Sequence, residues 1–344
     1  MAENKEGQSK AEDPLIASLI GKEYSGQFYD LTHDQAALYS LATGLLDNSI
    51  IDYSKSQKYL YENDKTFSVF PTMANAFAIK EINHFFRIPE LQKLIKHENI
   101  PSILLHGEEE TRCFTTLEAG EQYGVISKIV DIIDKGKLTI VVVRKDIESV
   151  KSKRLHSSIT SRYVLQGVGG FGSQGGRVPP LDLHKVSEFT HYGGAIPTLP
   201  QQNALYRLTG DKNLIHIDPA IAKKAGLGRP ILHGLCTYGI TARAVFEKMV
   251  AENIITDSSD NIRAITDIGA RFTAPVYPGE TLDVQISVMD KCKIYYETKV
   301  KERNITVLKG YLKYRKPISA GIWTASEASH AANRRLPTLL RKLL

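Results

Sequence analysis

Residues 206–216 read YRLTGDKNLIH, and residues 230–234 read PILHG at the start of an apolar helical pattern. The first stretch places a carboxylate, an amide and an imidazole close together in the chain, at Asp211, Asn213 and His216. A short helix is predicted before them, and the Thr-Gly pair ends it, so that the chain turns and the three side chains converge. An aspartate and a histidine can exchange protons near neutral pH, and an asparagine can hold a water molecule beside them. The stretch therefore predicts a site that handles water.

A long helix is predicted from Gly234 to Val250, because apolar residues such as Leu235 and Ile240 recur at close to helical spacing. The first N–H groups of a helix have no partner inside it, and the helix dipole is positive there. We therefore predict that the Gly234 N–H holds a developing oxyanion, and glycine lets a ligand approach the backbone closely. Each residue alone also has a structural interpretation, since Asp and Asn commonly cap helices and a single His is usually structural.

These stretches resemble the signature of the R-specific 2-enoyl-CoA hydratases of the MaoC-like group, typified by the hydratase part of the peroxisomal multifunctional enzyme. The signature runs from an aromatic residue through Ser/Thr-Gly-Asp and an asparagine to an aliphatic residue and a histidine. This chain matches it from Tyr206 to His216, with Leu214 in place of the usual proline. The resemblance covers roughly residues 15 to 317 and includes four further stretches: residues 70–72, 104–108, 169–172 and 272–280.

The resemblance implies an α+β double hot-dog fold, with two repeats that each wrap an antiparallel sheet around a long central helix. It implies (R)-specific hydration of trans-2-enoyl-CoA to (3R)-3-hydroxyacyl-CoA in fatty acid beta-oxidation. Asp211 and His216 would activate the water, Asn213 would orient it, and the Gly234 N–H would form the oxyanion hole. No metal or redox cofactor is implied, since coenzyme A belongs to the substrate. The chain would form a homodimer in peroxisomes.

Internal repetition supports two copies of one unit. Residues 37–44 read ALYSLATG and echo residues 204–210, ALYRLTG, while the Gly-Glu pair at 120–121 echoes the pair at 279–280. We therefore predict two repeats of roughly 150 residues each. The first copy has no histidine where the second has His216, so we predict that it has lost the chemistry. The resemblance to two-repeat eukaryotic hydratases implies that this copy widens the pocket for a long acyl chain.

The domain prediction follows these copies. It comprises a disordered N-terminus (1–13), an N-terminal repeat (14–150), a glycine-rich linker (151–180), a C-terminal catalytic repeat (181–320) and a basic tail (321–344). Residues 167–172 formally satisfy G-x-G-x-x-G, but a glycine and proline loop follows where a dinucleotide-binding turn needs a helix. Strands are predicted from alternating β-formers at 123–133 and 138–144, then at 262–272, 281–289, 293–303 and 305–314.

Composition predicts a soluble globular protein, since 42% of the 344 residues are hydrophobic and 24% are charged. No apolar run approaches the ~20 residues that a membrane span needs. The three cysteines lack the spacing of a disulfide framework or zinc site. The net charge of +6 is compatible with the phosphates of coenzyme A, and no nucleic-acid pattern accompanies it. The chain ends Arg-Lys-Leu-Leu rather than with a standard Ser-Lys-Leu address, so a cytoplasmic location is the alternative.

Two alternative functions use the same residues. A dehydratase acting on acyl-carrier-protein thioesters would run the same chemistry in reverse and would need a surface for the carrier. A non-catalytic acyl-CoA binding module is possible for a fold that supports many functions. The intact set of Asp211, Asn213 and His216 argues against the binding module. Of the other histidines, His233 is expected to shape the entry of the helix, and the rest are interpreted as structural or surface residues.

Overall fold

The structure is a computed structural model that describes residues 14–45, 53–85, 87–96, 104–172, 175–183, 186, 188–255, 264–289 and 292–315. The predicted disordered N-terminus and basic tail lie outside these residues. The strands are β1 Glu23–Leu31, β2 Leu104–Cys113, β3 Glu121–Asp134, β4 Leu138–Ser149, β5 Leu155–Gln166, β6 His191–Pro197, β7 Ile265–Phe272, β8 Thr281–Val288, β9 Lys293–Val300 and β10 Ile305–Tyr314. The α-helices are α1 Pro14–Leu19, α2 His33–Ala42, α3 Tyr53–Leu60, α4 Met73–Ala78, α5 Ile82–Phe85, α6 Pro89–Ile95, α7 Gln202–Tyr206, α8 Pro219–Lys224 and α9 Gly234–Ala251.

The ten strands of the described residues form one antiparallel sheet, in the order β1-β3-β4-β5-β2-β7-β10-β9-β8-β6. The two halves of the chain meet where β2 pairs with β7, with Glu110 opposite Gly269. Read outward from that pair, the first half runs β2-β5-β4-β3-β1 and the second runs β7-β10-β9-β8-β6. The halves therefore share one strand order, as expected of two copies of one unit. The expected α+β architecture with antiparallel strands and helices is confirmed.

The long helix α9 begins at Gly234, as predicted, and ends at Ala251. Its side chains are buried on almost every face, including the polar Thr241, whose hydroxyl lies 2.9 Å from that of Thr298. A helix that is apolar around most of its circumference must be surrounded by protein. The hydrophobic core that encloses α9 contains residues from both halves.

In the first half, the structure corrects the expectation of a single long helix. Three short elements take its place: α4, a 3-10 turn at Ile79–Glu81, and α5. The β-branched Ile79 and Ile82 flank the change from α to 3-10 geometry, and such residues crowd the preceding turn of a helix. The side chains of Asn75 and Glu81 are buried here and find partners outside the helix, on Glu109 and Tyr29. The first half thus carries polar groups where the second half has an apolar helix.

The predicted linker of 151–180 is also corrected, because β5 occupies residues 155–166 of it. The predicted end of the N-terminal repeat, at residue 150, was placed too early because of the glycine-rich stretch. The residues before that stretch have the β-branched content of a strand. The remaining loop wraps around two carboxylates of β3. Asp134 accepts hydrogen bonds from the N–H groups of Gly170 and Gly172, and Asp131 accepts from that of Gly176. The N–H groups of the glycine loop therefore bind carboxylates of the protein itself.

Candidate active site

A tight turn between α7 and residue 216 forms the framework of the site. The 3-10 turn Arg207–Thr209 follows α7, and Gly210 then adopts φ 140°, which side-chain-bearing residues rarely adopt. A Cβ on Gly210 would lie 3.2 Å from Lys80 Cγ and 3.3 Å from the Ala76 carbonyl oxygen. The glycine therefore lets the chain turn while it packs directly on the first half of the molecule.

The carboxylate of Asp211 and the amide of Asn213 are fixed by hydrogen bonds to the backbone. Asp211 Oδ1 accepts from the Asn213 N–H at 3.1 Å, and Asn213 Oδ1 accepts from the Ile215 N–H at 3.3 Å. The second bond caps a 3-10 turn at Leu214–His216. The sequence predicted that Asn213 offers a donor and an acceptor to water. The structure adds that the amide oxygen already accepts one backbone bond, so the NH₂ group is the part best placed to donate to water.

The tautomer of His216 follows from its surroundings. His216 Nδ1 lies 3.0 Å from the Ile231 carbonyl oxygen, which can only accept, so Nδ1 carries the proton. In the neutral ring the lone pair is then on Nε2, which is the nitrogen able to accept a proton from water. The Asn203 amide holds the backbone of the same residue by donating to the His216 carbonyl oxygen. The imidazole is thus oriented for use as a base.

His233 closes the site from the side of α9. Its ring stacks on that of His216, with centroids 3.7 Å apart and planes inclined by 27°. His233 Nε2 lies 3.3 Å from the backbone carbonyl oxygen of Asp211, so it donates to the turn that carries the carboxylate. The prediction that His233 shapes the helix entry agrees with its place immediately before α9. Its contacts also tie that entry to both Asp211 and His216.

Burial and charge set the ionisation states of the three groups. Burial raises the pKa of Asp211, but the adjacent His233 and His216 and the Asn213 N–H outweigh it and leave this pKa below its usual value. Burial lowers the pKa of His216, against the opposing attraction of Asp211. Burial, with the neighbouring His216, lowers the pKa of His233 to about 3. At neutral pH the site therefore holds one carboxylate and two neutral imidazoles.

The N-terminus of α9 begins beside these rings with backbone N–H groups that have no partner within the described part of the chain. The first intrahelical bonds run from the N–H groups of Cys236 and Thr237 to the His233 carbonyl oxygen, so the N–H of Gly234 precedes them. A Cβ on Gly234 would lie 3.2 Å from the ring of Phe272, so glycine allows the helix to begin against that ring. This backbone can stabilise a negative oxygen at the edge of the site.

A second segment of the resemblance, residues 272–280, holds the entry of α9 in place. The Leu232 N–H donates to the Val276 carbonyl oxygen at 2.7 Å. Arg303 donates to the Pro275 carbonyl oxygen at 2.7 Å and forms an ion pair with Glu280. Bidentate arginine contacts of this kind fix geometry as well as charge. These residues therefore support the site without belonging to it.

The structure thus brings together all four residues predicted for the site, since Asp211, Asn213 and His216 share one turn and Gly234 follows His233. Ligand atoms of Asp211, His216 and His233 lie within 4.8 Å of one another, a set that is also able to hold a metal ion. His106, interpreted from the sequence as structural, also lies near this site. Its ring lies 5.1 Å from that of Phe272, which packs against Gly234. The only sequence signal was its place in residues 104–108.

Comparison with known proteins finds matches in both halves. Residues 29–167 match the family model of the MFE-2 hydratase 2 N-terminal domain, and residues 188–310 match that of the MaoC like domain. The chain is 32% identical over 302 residues to a protein named enoyl-CoA hydratase 2, peroxisomal, from Arabidopsis thaliana, covering 83% of this chain and 91% of that protein. It is 38% identical over 210 residues to the 3-hydroxyacyl-thioester dehydratase Y of Mycobacterium tuberculosis, covering 58% of this chain and 67% of that protein.

Solved structures agree with this assignment. A MaoC-like dehydratase from Phytophthora capsici superposes with a TM-score of 0.71 at 26% identity, covering 89% of this chain and 99% of that one. A Mycobacterium tuberculosis protein described as a double hotdog fold gives a TM-score of 0.52 at 14% identity, covering 86% and 96%. The second similarity shows the fold alone. Among the described residues, no helix has both the length and the apolar character that a membrane crossing requires.

Proposed function

The chain belongs to the MaoC-like hydratase family, and on that premise we propose that it is an R-specific 2-enoyl-CoA hydratase of fatty acid beta-oxidation. It adds water to trans-2-enoyl-CoA and gives (3R)-3-hydroxyacyl-CoA. The observation that supports this proposal best is the convergence of an ionised Asp211 and a neutral, oriented His216 beside the N-terminus of α9. That arrangement combines a general acid and base with an anion-stabilising backbone.

The proposed step begins with the thioester carbonyl oxygen accepting a hydrogen bond from the Gly234 N–H. This contact stabilises the negative charge that develops on the oxygen as the C2–C3 double bond is polarised. The water oxygen bonds to C3, and one proton of the water passes to the pair formed by Asp211 and His216. The pair returns a proton to C2, so that the product gains the atoms of one water molecule. His216 Nε2 is the natural first acceptor, since Nδ1 is already protonated.

Asn213 and His233 have supporting parts in this proposal. The NH₂ group of Asn213 donates to the water oxygen and orients its lone pair toward C3. His233 is a positioning residue, because it holds the backbone of Asp211 and the ring of His216 at the same time. Neither residue needs to change its protonation state during the reaction.

The decisive experiment follows the ultraviolet absorbance of trans-2-decenoyl-CoA with the wild type and with Asp211→Asn, and then determines the chirality of the product. We expect the substitution to lower kcat by about 10²- to 10⁴-fold, the usual contribution of general acid–base catalysis. Asp34→Asn, an exposed change in α2, is the matched control and should leave the rate unaltered. A folded wild type that binds the thioester without consuming its double bond would instead identify a binding module.

Dehydration is the second candidate, and one relative favours it by its name, a 3-hydroxyacyl-thioester dehydratase. The same residues catalyse both directions, since a catalyst accelerates a reaction and its reverse alike. The two functions differ in the thioester carrier. Comparing kcat/KM for coenzyme A and acyl-carrier-protein forms of one 3-hydroxyacyl group separates them, and we expect the coenzyme A form to be preferred.

The proposed reaction needs no metal or redox cofactor, even though Asp211, His216 and His233 are able to bind a metal ion. Polarisation of the carbonyl is assigned to backbone donors and proton transfer to the side chains. Extensive dialysis against EDTA, with elemental analysis of the purified protein, should leave the rate unchanged. A rate that falls and is restored by one divalent ion would overturn this part of the proposal.

The remaining proposals concern organisation and location. We propose two structural units that correspond to the two repeats, a homodimer with no nucleic-acid or integral membrane partner, and a peroxisomal location. The shared strand order supports the two units, and a relative named as peroxisomal supports the location. Light scattering of the purified chain tests the dimer. Microscopy of the chain carrying an N-terminal fluorescent tag tests the location, with a cytoplasmic signal as the opposing result.

A further inference from the structure

A buried polar network occupies the first half of the molecule next to the proposed site. His106 Nε2 lies 2.9 Å from Glu109 Oε2, and Asn75 Nδ2 donates to Glu109 Oε1 at 2.7 Å. Lys145 Nζ donates to the Tyr163 hydroxyl at 2.9 Å. Glu109, Asn75, Lys145 and Tyr163 are each at most 3% exposed. A buried ammonium and carboxylate contribute little net stability, because both must be removed from water. Such groups beside an active site point to a functional role.

The network extends to the residues that carry the chemistry. The ring of His106 lies against that of Phe272, which is the ring packed on Gly234. His106 and Lys145 both interact electrostatically with Asp211. A substrate whose thioester lies at Gly234 and whose C3 faces Asp211 therefore has this network within reach of its acyl chain.

Polar atoms of three residues at this junction have no hydrogen-bond partner among the described residues. One of them is His233 Nδ1, which belongs to a ring 5.0 Å from that of Tyr206 and already assigned to the catalytic turn. The subsite uses the other two. One is the hydroxyl of Tyr206, a residue that is fully buried and interacts electrostatically with both Asp211 and Glu109. The second is His106 Nδ1, since Nε2 is the nitrogen bonded to Glu109; the side chain of His106 is 16% exposed. Buried polar groups in native proteins are nearly always paired. An unpaired donor and an unpaired acceptor beside a reactive centre indicate that a ligand group completes them.

Building on the proposed hydratase function, we propose that these residues form a polar subsite that binds a hydroxyl group on the acyl chain of the substrate. The substrate hydroxyl accepts from the Tyr206 hydroxyl and donates to His106 Nδ1. An unsubstituted alkyl chain in the same place would leave both protein atoms unpaired and desolvated. The first half would then select a hydroxylated acyl group, in contrast to the long plain chain that the resemblance implies.

The charges of the network argue for a neutral group. Glu109 and Asp211 contribute two carboxylates near the subsite, and Lys145 contributes one ammonium that already contacts Tyr163. A carboxylate on the substrate would face Glu109 and Asp211, and Lys145 is the one cation of this network that would attract it. A hydroxyl adds no charge and supplies both a donor and an acceptor.

The test compares kcat/KM for trans-2-hexenoyl-CoA with that for its 5-hydroxy and 6-hydroxy derivatives. We expect the wild type to prefer the better hydroxy derivative by about ten- to a hundredfold, as expected when a substrate group pairs buried polar atoms. Tyr206→Phe removes only the hydroxyl and should reduce this preference to less than about threefold. His106→Gln provides a second variant that retains a bond to Glu109. Arg112→Gln, a change on the exposed side chain of β2, is the matched control.

The outcomes separate the two proposals. Turnover of none of the three thioesters by a folded wild type contradicts the hydratase function itself. Turnover of all three without a preference for a hydroxy derivative overturns the subsite alone. If Tyr206→Phe lowers kcat equally for plain and hydroxylated substrates, the hydroxyl contacts the reacting water and the subsite is again overturned. The subsite is supported if the preference for a hydroxy derivative is lost in Tyr206→Phe and His106→Gln and is retained in Arg112→Gln.

Discussion

Residues 37–44 and 204–210 are two copies of one sequence pattern, and their tyrosines show how the copies have diverged. The rings of Tyr39 and Tyr206 lie 6.2 Å apart, and both are almost fully buried. The hydroxyl of Tyr39 donates to Thr72 Oγ1 at 2.8 Å, whereas that of Tyr206 has no partner among the described residues. The side-chain hydroxyls of residues 37–44 are hydrogen-bonded within the fold, whereas residues 204–210 keep the Tyr206 hydroxyl available to a ligand.

The ends of the two segments show the same contrast. The carbonyl oxygens at the end of α2 accept bonds from the second half, with Gln202 donating to Ala42 and Arg243 donating to Thr43. The second copy instead continues through Gly210 into the turn of Asp211. The first copy therefore supports the second copy structurally, and chemistry is confined to one of two related segments. Changes within residues 37–44 should accordingly affect stability, and changes in the site that follows residue 210 should affect activity.

The largest expected effect is the loss of the base in the second copy. His216→Gln keeps a polar side chain but removes the proton acceptor, so we expect kcat to fall by about 10²- to 10⁴-fold. Ser40→Ala, in the first copy, removes only a bond to the Ala36 carbonyl oxygen and should leave kcat within twofold of the wild type. Steady-state kinetics on trans-2-decenoyl-CoA gives both values. If the His216→Gln enzyme keeps more than a tenth of the normal activity, another residue is the general base.

A glycine in each half allows the next comparison. Gly234→Ala places a methyl group 3.2 Å from the Phe272 ring and shifts the first donors of α9, so kcat should fall by about 10²- to 10³-fold, as for loss of an oxyanion donor. Gly44→Ala forces an alanine into φ 79° and should cost about 1 kcal/mol of folding free energy with little change in kcat. Urea unfolding and kinetics on both variants test this division. Equal kinetic effects would show that the first copy also contributes to the chemistry.

The sequence predicted those features whose determinants lie close together in the chain. The start of α9, the strands β3, β4 and β7 to β10, and the turn holding Asp211 and His216 follow from local patterns and short motifs. The strands β1, β2 and β6 were not predicted. The subsite around His106 could not be predicted in this way, because α4, β2, β4 and β5 contribute its members from widely separated positions. The strand at 155–166 was assigned to the linker because a glycine-rich stretch follows it. The broken helices of the first half depend on tertiary partners of Asn75 and Glu81.

Buried histidines in the two halves provide a pH comparison. Burial lowers the pKa of both His156 and His216, and each ring bonds through Nδ1 to a backbone carbonyl oxygen. The unfolded chain therefore binds more protons than the folded one just below pH ~6.5, so both residues contribute stability that is lost as the pH falls below that value. Protonation of His216 should also remove the catalytic base, whereas protonation of His156 should not. Below the pKa of His216, log(kcat/KM) should therefore fall by about one for each unit by which the pH is lowered.

His156→Gln separates the two consequences. We expect the unfolding free energy of this variant to decrease less on acidification than that of the wild type. The pH profile of kcat/KM should be the same in both proteins. Chemical denaturation at several pH values and the pH dependence of kcat/KM provide the two measurements. A shifted kinetic profile in His156→Gln would mean that the first half influences the titration of the site.

The smallest expected effect returns to the two tyrosines. Tyr39→Phe leaves the hydroxyl of Thr72 without its donor and should lower the unfolding free energy by about 1 kcal/mol. Tyr206→Phe deletes a hydroxyl that has no protein partner, so the stability of the unliganded protein should stay the same or rise slightly. Both changes remove one oxygen from a buried ring, and urea unfolding compares them directly. If Tyr206→Phe destabilised the protein as much as Tyr39→Phe, its hydroxyl would be structural, and the contrast between the two copies would not extend to these tyrosines.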